Sequence, residues 1–137
     1  MKNITIQVPI ECQYLSDWLE FEGYLPNGHI ILNKDICGCG CTDHFLTNDS
    51  PVILVSPRRR LIESKLNDPR TATNLFYFDR SVKGSTVSIT IDELRRYLQS
   101  CQGTPWTNPK VPKIMVTYDS LVIVIDTLRE WGLMDHF

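Results

Sequence analysis

Gly28-His29-Ile30-Ile31-Leu32-Asn33-Lys34-Asp35-Ile36-Cys37-Gly38-Cys39-Gly40-Cys41-Thr42 decides how the chain is read. An apolar run, Ile30 to Leu32, enters a glycine-punctuated turn that ends on a threonine. A polar segment follows, and then a second apolar run, Val52-Ile53-Leu54-Val55, set between Pro51 and Pro57. Buried strand, glycine turn, short helix and buried strand is the layout of a phosphate-binding loop in a parallel sheet. The window from Asp35 to Thr42 meets the pattern G-x-x-x-x-G-K-[ST] at Gly40 and Thr42, with Gly38 as an additional glycine. It departs from the pattern at Asp35, where the first glycine belongs, and at Cys41, where the lysine belongs. A phosphate cradle needs converging backbone N–H groups, glycines that allow close approach, and a hydroxyl for Mg²⁺. Gly38, Gly40 and Thr42 supply these. The thiol of Cys41 cannot supply the lysine's charge, and Lys34 stands on the preceding strand at a different offset. A phosphate site and an inherited structural turn both fit the stretch.

Working outward, the chain has 137 residues, enough for one domain with its own core. It carries 14 basic and 16 acidic residues, so nucleic acid would be held by a local patch and not by the field of the whole chain. No apolar run nears the roughly 20 residues of a membrane span, and the first residues lack a signal-peptide core. A cytoplasmic protein with no membrane partner is expected. Of the 5 cysteines, Cys37, Cys39 and Cys41 alternate with glycine, which does not resemble a secreted disulfide framework. With His44 they offer a thiolate-rich ligand set for zinc or a soft metal, without the second thiol pair that structural zinc sites use. In an anion nest, Cys41 would instead be a thiol of lowered pKa.

Alternation of Ile4, Ile6 and Val8 with polar residues predicts a half-buried strand closed by Pro9. Residues 14–22 read as a short helix capped by Ser16 and stopped by Gly23. A strand over about 29–33 feeds the glycine loop. Asp43 to Thr47 then leaves room for a turn or two of helix. Strands are expected at 52–55, 75–78 and 113–118, and helices at 58–66, 92–100 and 121–131. Thr90-Ile91-Asp92-Glu93 has the form of a capping box, Asp119 or Ser120 offers a cap for the last helix, and Gly132 offers its stop. Ser81 to Ser85 and Gly103 to Pro112 read as loops. Strands alternating with helices imply an α/β domain with a mainly parallel sheet in three layers.

With these elements in place, several short pieces resemble the first RecA-like domain of superfamily 2 helicase-like proteins from bacterial mobile elements and phages. They are Asn33-Lys34 with Cys37 to Thr42 at the first motif, Ser56-Pro57-Arg58-Arg59-Arg60 to Lys65 at the next, and Val116-Thr117-Tyr118-Asp119-Ser120-Leu121 at a third. The resemblance spans about residues 24 to 137. It implies a P-loop domain that is degenerate and truncated, with the acidic Walker B strand falling beyond Phe137. It implies nucleic-acid phosphate as the target of Arg58, Arg59, Arg60 and Thr117. Any cofactor would be a nucleotide with Mg²⁺, and the second half-domain would come from another protein. Hydrolysis is not expected where Cys41 replaces the lysine.

Each candidate also has a plainer reading. Arg58 to Arg60 at a helix start oppose the macrodipole, so they form either a phosphate-binding patch or a solvated charge run. Asp79, after Leu75-Phe76-Tyr77-Phe78, has the apolar-run-then-acid form of a Mg²⁺-holding strand, which any buried strand ending at an acidic turn shares. Three functions therefore stand: a non-hydrolysing helicase-like domain acting through nucleic-acid or nucleotide phosphate, a structural or protein-interaction domain, and a small metal-binding protein.

Overall fold

A computed structural model describes residues 5–25, 38–71, 74–79, 87–102 and 110–137. The expected strand at 29–33, Lys34, Cys37, the Ser81–Ser85 loop and residues 103–109 lie outside the described residues. The chain falls into two compact units, Met1–Asn48 and Asp49–Phe137, each taken by itself here.

The first unit is built on three bulky residues, Leu15, Trp18 and Phe21, that are buried together. Their spacing of three is the period of a 3₁₀-helix, not of an α-helix. The continuous helix expected over 14–22 is accordingly replaced by a 3₁₀ turn at Leu15–Asp17, an extended Trp18, and a helix α1 at Phe21–Tyr24. Gly23 lies inside α1 and does not terminate an earlier helix. Asp17 closes the 3₁₀ turn by accepting the backbone N–H of Tyr14 at 3.2 Å. Residues 5–9 form no strand: Ile6 packs on the aromatic cluster while Val8 and Ile10 stay exposed. Helix α2, Cys41–Thr47, begins at Gly40, and its His44 is buried with its ring edge-on to Phe21 at 4.9 Å.

The second unit is α/β. Three strands, β1 (Val52–Ser56), β2 (Leu75–Phe78) and β3 (Lys113–Thr117), form a parallel sheet in the order β1-β3-β2. Helix α3 (Arg59–Leu66) connects β1 to β2, α4 (Val87–Cys101) connects β2 to β3, and α5 (Tyr118–Glu130) follows β3. In register, Ile53, Ile114 and Phe76 lie side by side, as do Val55, Val116 and Phe78. These rows pack with Leu94 and Leu98 of α4 and Val124 and Leu128 of α5 into one core. The alternate row of Leu54, Met115 and Tyr77 belongs to the other face, where α3 packs with its fully buried Ile62. The crossovers β1→β2 and β2→β3 run in opposite directions, and their helices lie on opposite faces, as crossovers of one hand require.

Two cap expectations are corrected by packing. Helix α4 starts at Val87, so Thr90 is buried within its first turn and is not its N-cap residue. Within the helix, Ile91, Leu94, Leu98 and Cys101 keep the apolar helical spacing. Helix α5 is capped at Thr117, not at Asp119 or Ser120, and tertiary packing of Val124 and Leu128 overrides the strand preference of Val122 to Ile125. Gly132, at φ 65, does end α5: its N–H reaches the carbonyl of Arg129 at 3.0 Å and that of Leu133 reaches Leu128 at 2.9 Å, a Schellman closure. Arg95, midway along α4, lies 4.6 Å from the ring of Trp131, the residue just past the end of α5.

Candidate functional site

In an open parallel sheet, ligands bind beyond the carboxyl ends of the strands, where neighbouring strands send their connections to opposite faces. Here that point lies between β1, which leads to α3 on one face, and β3, which leads to α5 on the other. The last residues of the two strands, Ser56 and Thr117, are register partners. Pro57 follows Ser56 and forces a turn. The hydroxyl of Ser56 closes it by accepting the N–H of Arg58 at 3.2 Å and donating to the carbonyl of Arg58 at 3.2 Å. Ser56 and Ser120 are both buried, and the Thr117 hydroxyl donates to that of Ser120 at 3.4 Å. Strand-end hydroxyls thus set where Arg58, Arg59 and Arg60 leave the sheet.

The arginines are not equivalent. Arg59 reaches Asp79 at the end of β2, Nη2 to Oδ1 at 3.5 Å, with its own side chain 54% exposed and that of Asp79 6%. The second oxygen of Asp79 accepts the Tyr77 hydroxyl at 2.9 Å. Arg58 and Arg60 are exposed, and among the described residues neither has an ion-pair partner. The sequence-expected residues Arg58, Arg59, Arg60, Asp79 and Thr117 therefore all lie at one edge of one sheet. Ser56, Tyr77 and Ser120 join them; the Ser-Pro step at a strand end is the signal by which Ser56 was legible.

Asp79 alters the titration of its neighbour. Burial, and then the hydrogen bond to the Asp79 carboxylate, push the Tyr77 phenol up to about 12. Its folded value is raised, so its contribution to stability is whole below the unfolded pKa near 10 and is lost as pH rises through about 12. Asp79→Asn should bring the Tyr77 titration part of the way back down, leaving the burial component. A phenolate absorbance titration reads this directly; an unchanged titration in the variant would show that Asp79 does not hold the phenol.

The glycine loop belongs to the other unit. Gly38 and Gly40 both have left-handed φ, 77 and 78, and Gly40 is the N-terminal cap of α2. A Cβ on Gly40 would lie 2.7 Å from Tyr14 Cβ and 3.0 Å from Ser16 Oγ, whereas one on Gly38 would meet nothing within 4 Å. The Leu15 N–H donates to the Cys39 carbonyl at 2.7 Å, and Cys39 and Cys41 pack on the Leu15-Trp18-Phe21 cluster. The side of Gly40 on which a Cβ would stand is filled by residues 14–16 of the chain itself, and position 41 brings no cation. Thr42 stands in the first turn of α2. Gly38→Ala should cost only the left-handed conformation, about 1 kcal/mol. Gly40→Ala should cost roughly twice that, because the backbone of residues 14–16 must also shift. Urea unfolding followed through Trp18 emission compares them; equal losses would remove the packing role of Gly40.

Among the described residues, no group of three His, Cys, Asp or Glu side chains is placed to share a metal ion. At the opposite, amino edge of the sheet, a cavity of about 270 Å³ is lined by Leu98, Cys101, Leu133 and Phe137 among others. Burial pushes its thiol, Cys101, up and so away from reactivity. No helix among the described residues is long and apolar enough to cross a membrane. The chain matches no family model, no curated protein and no solved structure.

Proposed function

We propose that the chain is a degenerate, helicase-like P-loop domain that binds nucleic-acid phosphate at the carboxyl edge of its sheet. The observation that carries this reading is the switch point itself. Ser56 and Thr117 end adjacent strands there, and the turn after β1 and the first turn of α3 present Arg58 and Arg60 to solvent, neither with an ion-pair partner among the described residues. Guanidinium groups on a rigid strand-end turn bind phosphate by charge-assisted, forked hydrogen bonds. Arg59 acts differently: it holds the buried Asp79 carboxylate and shapes the edge. With a net charge of −2, the patch must work locally and over a short reach. Contact with phosphate alone carries no base preference, so binding is sequence-tolerant.

Binding should therefore fall with salt. For a single strand the slope of log affinity against log salt is about −0.7 per phosphate neutralised, so the two arginine contacts give a slope of about −1.4. Fluorescence anisotropy of a labelled oligonucleotide across a salt series is the test. Affinity that does not respond to salt, or no binding at low salt, would contradict the reading.

A second reading is favoured by one specific observation, the packing of Gly40 against Tyr14 and Ser16. In that reading the loop glycines are retained for close packing and the first unit is a structural or protein-interaction element. The Gly38 and Gly40 comparison above measures that role independently of the arginine edge.

A further inference from the structure

Tyr118 is the most exposed aromatic side chain among the described residues, at 61%, and Val122, one helical turn on, is exposed at 65%. An isolated exposed tyrosine is ordinary on a protein surface. The position of this one is not ordinary. It is the first residue of α5 and directly follows Thr117, the register partner of Ser56. Neighbouring strands are about 4.8 Å apart, so the chain leaves the sheet toward Arg58 on one strand and toward Tyr118 on the next. We propose that Tyr118 is a base-stacking platform which makes this edge a single-strand site, an inference that rests on the phosphate-binding reading above.

The physical case joins two requirements. Single-stranded nucleic acid is held where a cationic groove tracks the backbone and an aromatic face receives an unstacked base. Arg58 and Arg60 meet the first requirement and Tyr118 the second, with Val122, one helical turn on, also exposed. A duplex offers phosphates to the arginines, but its bases are already stacked on one another, and the ring gains nothing from it. Tyr118 is therefore a specificity-determining residue: the arginines set affinity for any strand, and the ring sets the preference for unpaired bases. Stacking tolerates every base, so the preference is for strandedness and not for sequence.

The experiment compares wild type, Tyr118→Ala, Tyr118→Trp and the Arg58→Ala/Arg60→Ala double variant. Each is titrated into a labelled oligothymidylate and into a labelled duplex of equal length at low salt. Tyr118→Ala should weaken single-strand binding between about fivefold and a hundredfold and leave duplex affinity and the salt slope unchanged. Tyr118→Trp should retain single-strand binding, and the double arginine variant should lose both. If Tyr118→Ala binds the single strand as wild type does while the arginine variant fails, the stacking role is overturned and the phosphate reading stands. Equal weakening of both ligands by Tyr118→Ala also overturns it. Wild-type protein that binds neither ligand overturns both.

Discussion

Phe78→Ala should cost the second unit roughly 3–5 kcal/mol and lower its urea midpoint by about 2 M. Phe78 is fully buried at the end of β2, in register with Val116 and packed with Leu94, Leu98, Val124 and Leu128. It is the point at which the edge strand, α4 and the central strand share one core. Truncation removes the apolar contact of the ring and leaves a void that neighbours on rigid elements can only partly fill. Marginal stabilities of about 5–15 kcal/mol make that loss a large share of the whole. Val122→Ala, on the exposed face of α5, should move the midpoint little. A Phe78→Ala loss under 1 kcal/mol in equilibrium urea unfolding would mean that the core is not organised around this row.

The same variant bears on the candidate site, because Asp79 follows Phe78 directly and its carboxylate is placed by the end of β2. A loosened strand end should release the Tyr77–Asp79 hydrogen bond and lower the Tyr77 titration, linking core packing to the geometry of the edge.

What could be read from the chain alone follows from how local each signal is. The runs Val52–Val55, Leu75–Phe78 and Ile114–Val116 are apolar throughout because their strands are covered on both faces, and they announce a parallel sheet without knowledge of any partner. Gly132 announces its own role because only a left-handed residue closes the α5 terminus. Signals failed where a longer-range term won. Ser16 and Gly23 looked like helix ends, but the three-residue spacing of Leu15, Trp18 and Phe21 drew the backbone into a 3₁₀ turn. Thr90 looked like a cap, but the helix begins three residues before it, at Val87.

The candidate site was legible as residue types and not as an arrangement. Arg58 to Arg60, Asp79 and Thr117 could each be named from the sequence, yet the pairing of Arg59 with Asp79 spans 20 positions and depends on strand order. That pairing divides the three arginines into one that shapes the edge and two that face solvent. The role of Gly40 was likewise hidden, since the neighbours that exclude a side chain there come from residues 14 and 16.

Arg58 and Arg60 are the proposed phosphate ligands, while Arg59 holds Asp79. Replacing all three arginines would also remove the Arg59 partner of the buried Asp79 carboxylate and confuse binding with folding. The double variant Arg58→Ala/Arg60→Ala keeps the Arg59–Asp79 pair and should retain the wild-type urea midpoint. Its single-strand affinity at low salt should fall by tenfold or more, and its salt slope should shrink by about 1.4, the share of two phosphate contacts. Anisotropy across a salt series, on wild type and double variant side by side, measures both quantities. A double variant with wild-type affinity and wild-type slope would contradict the assignment of this edge as a phosphate-binding surface.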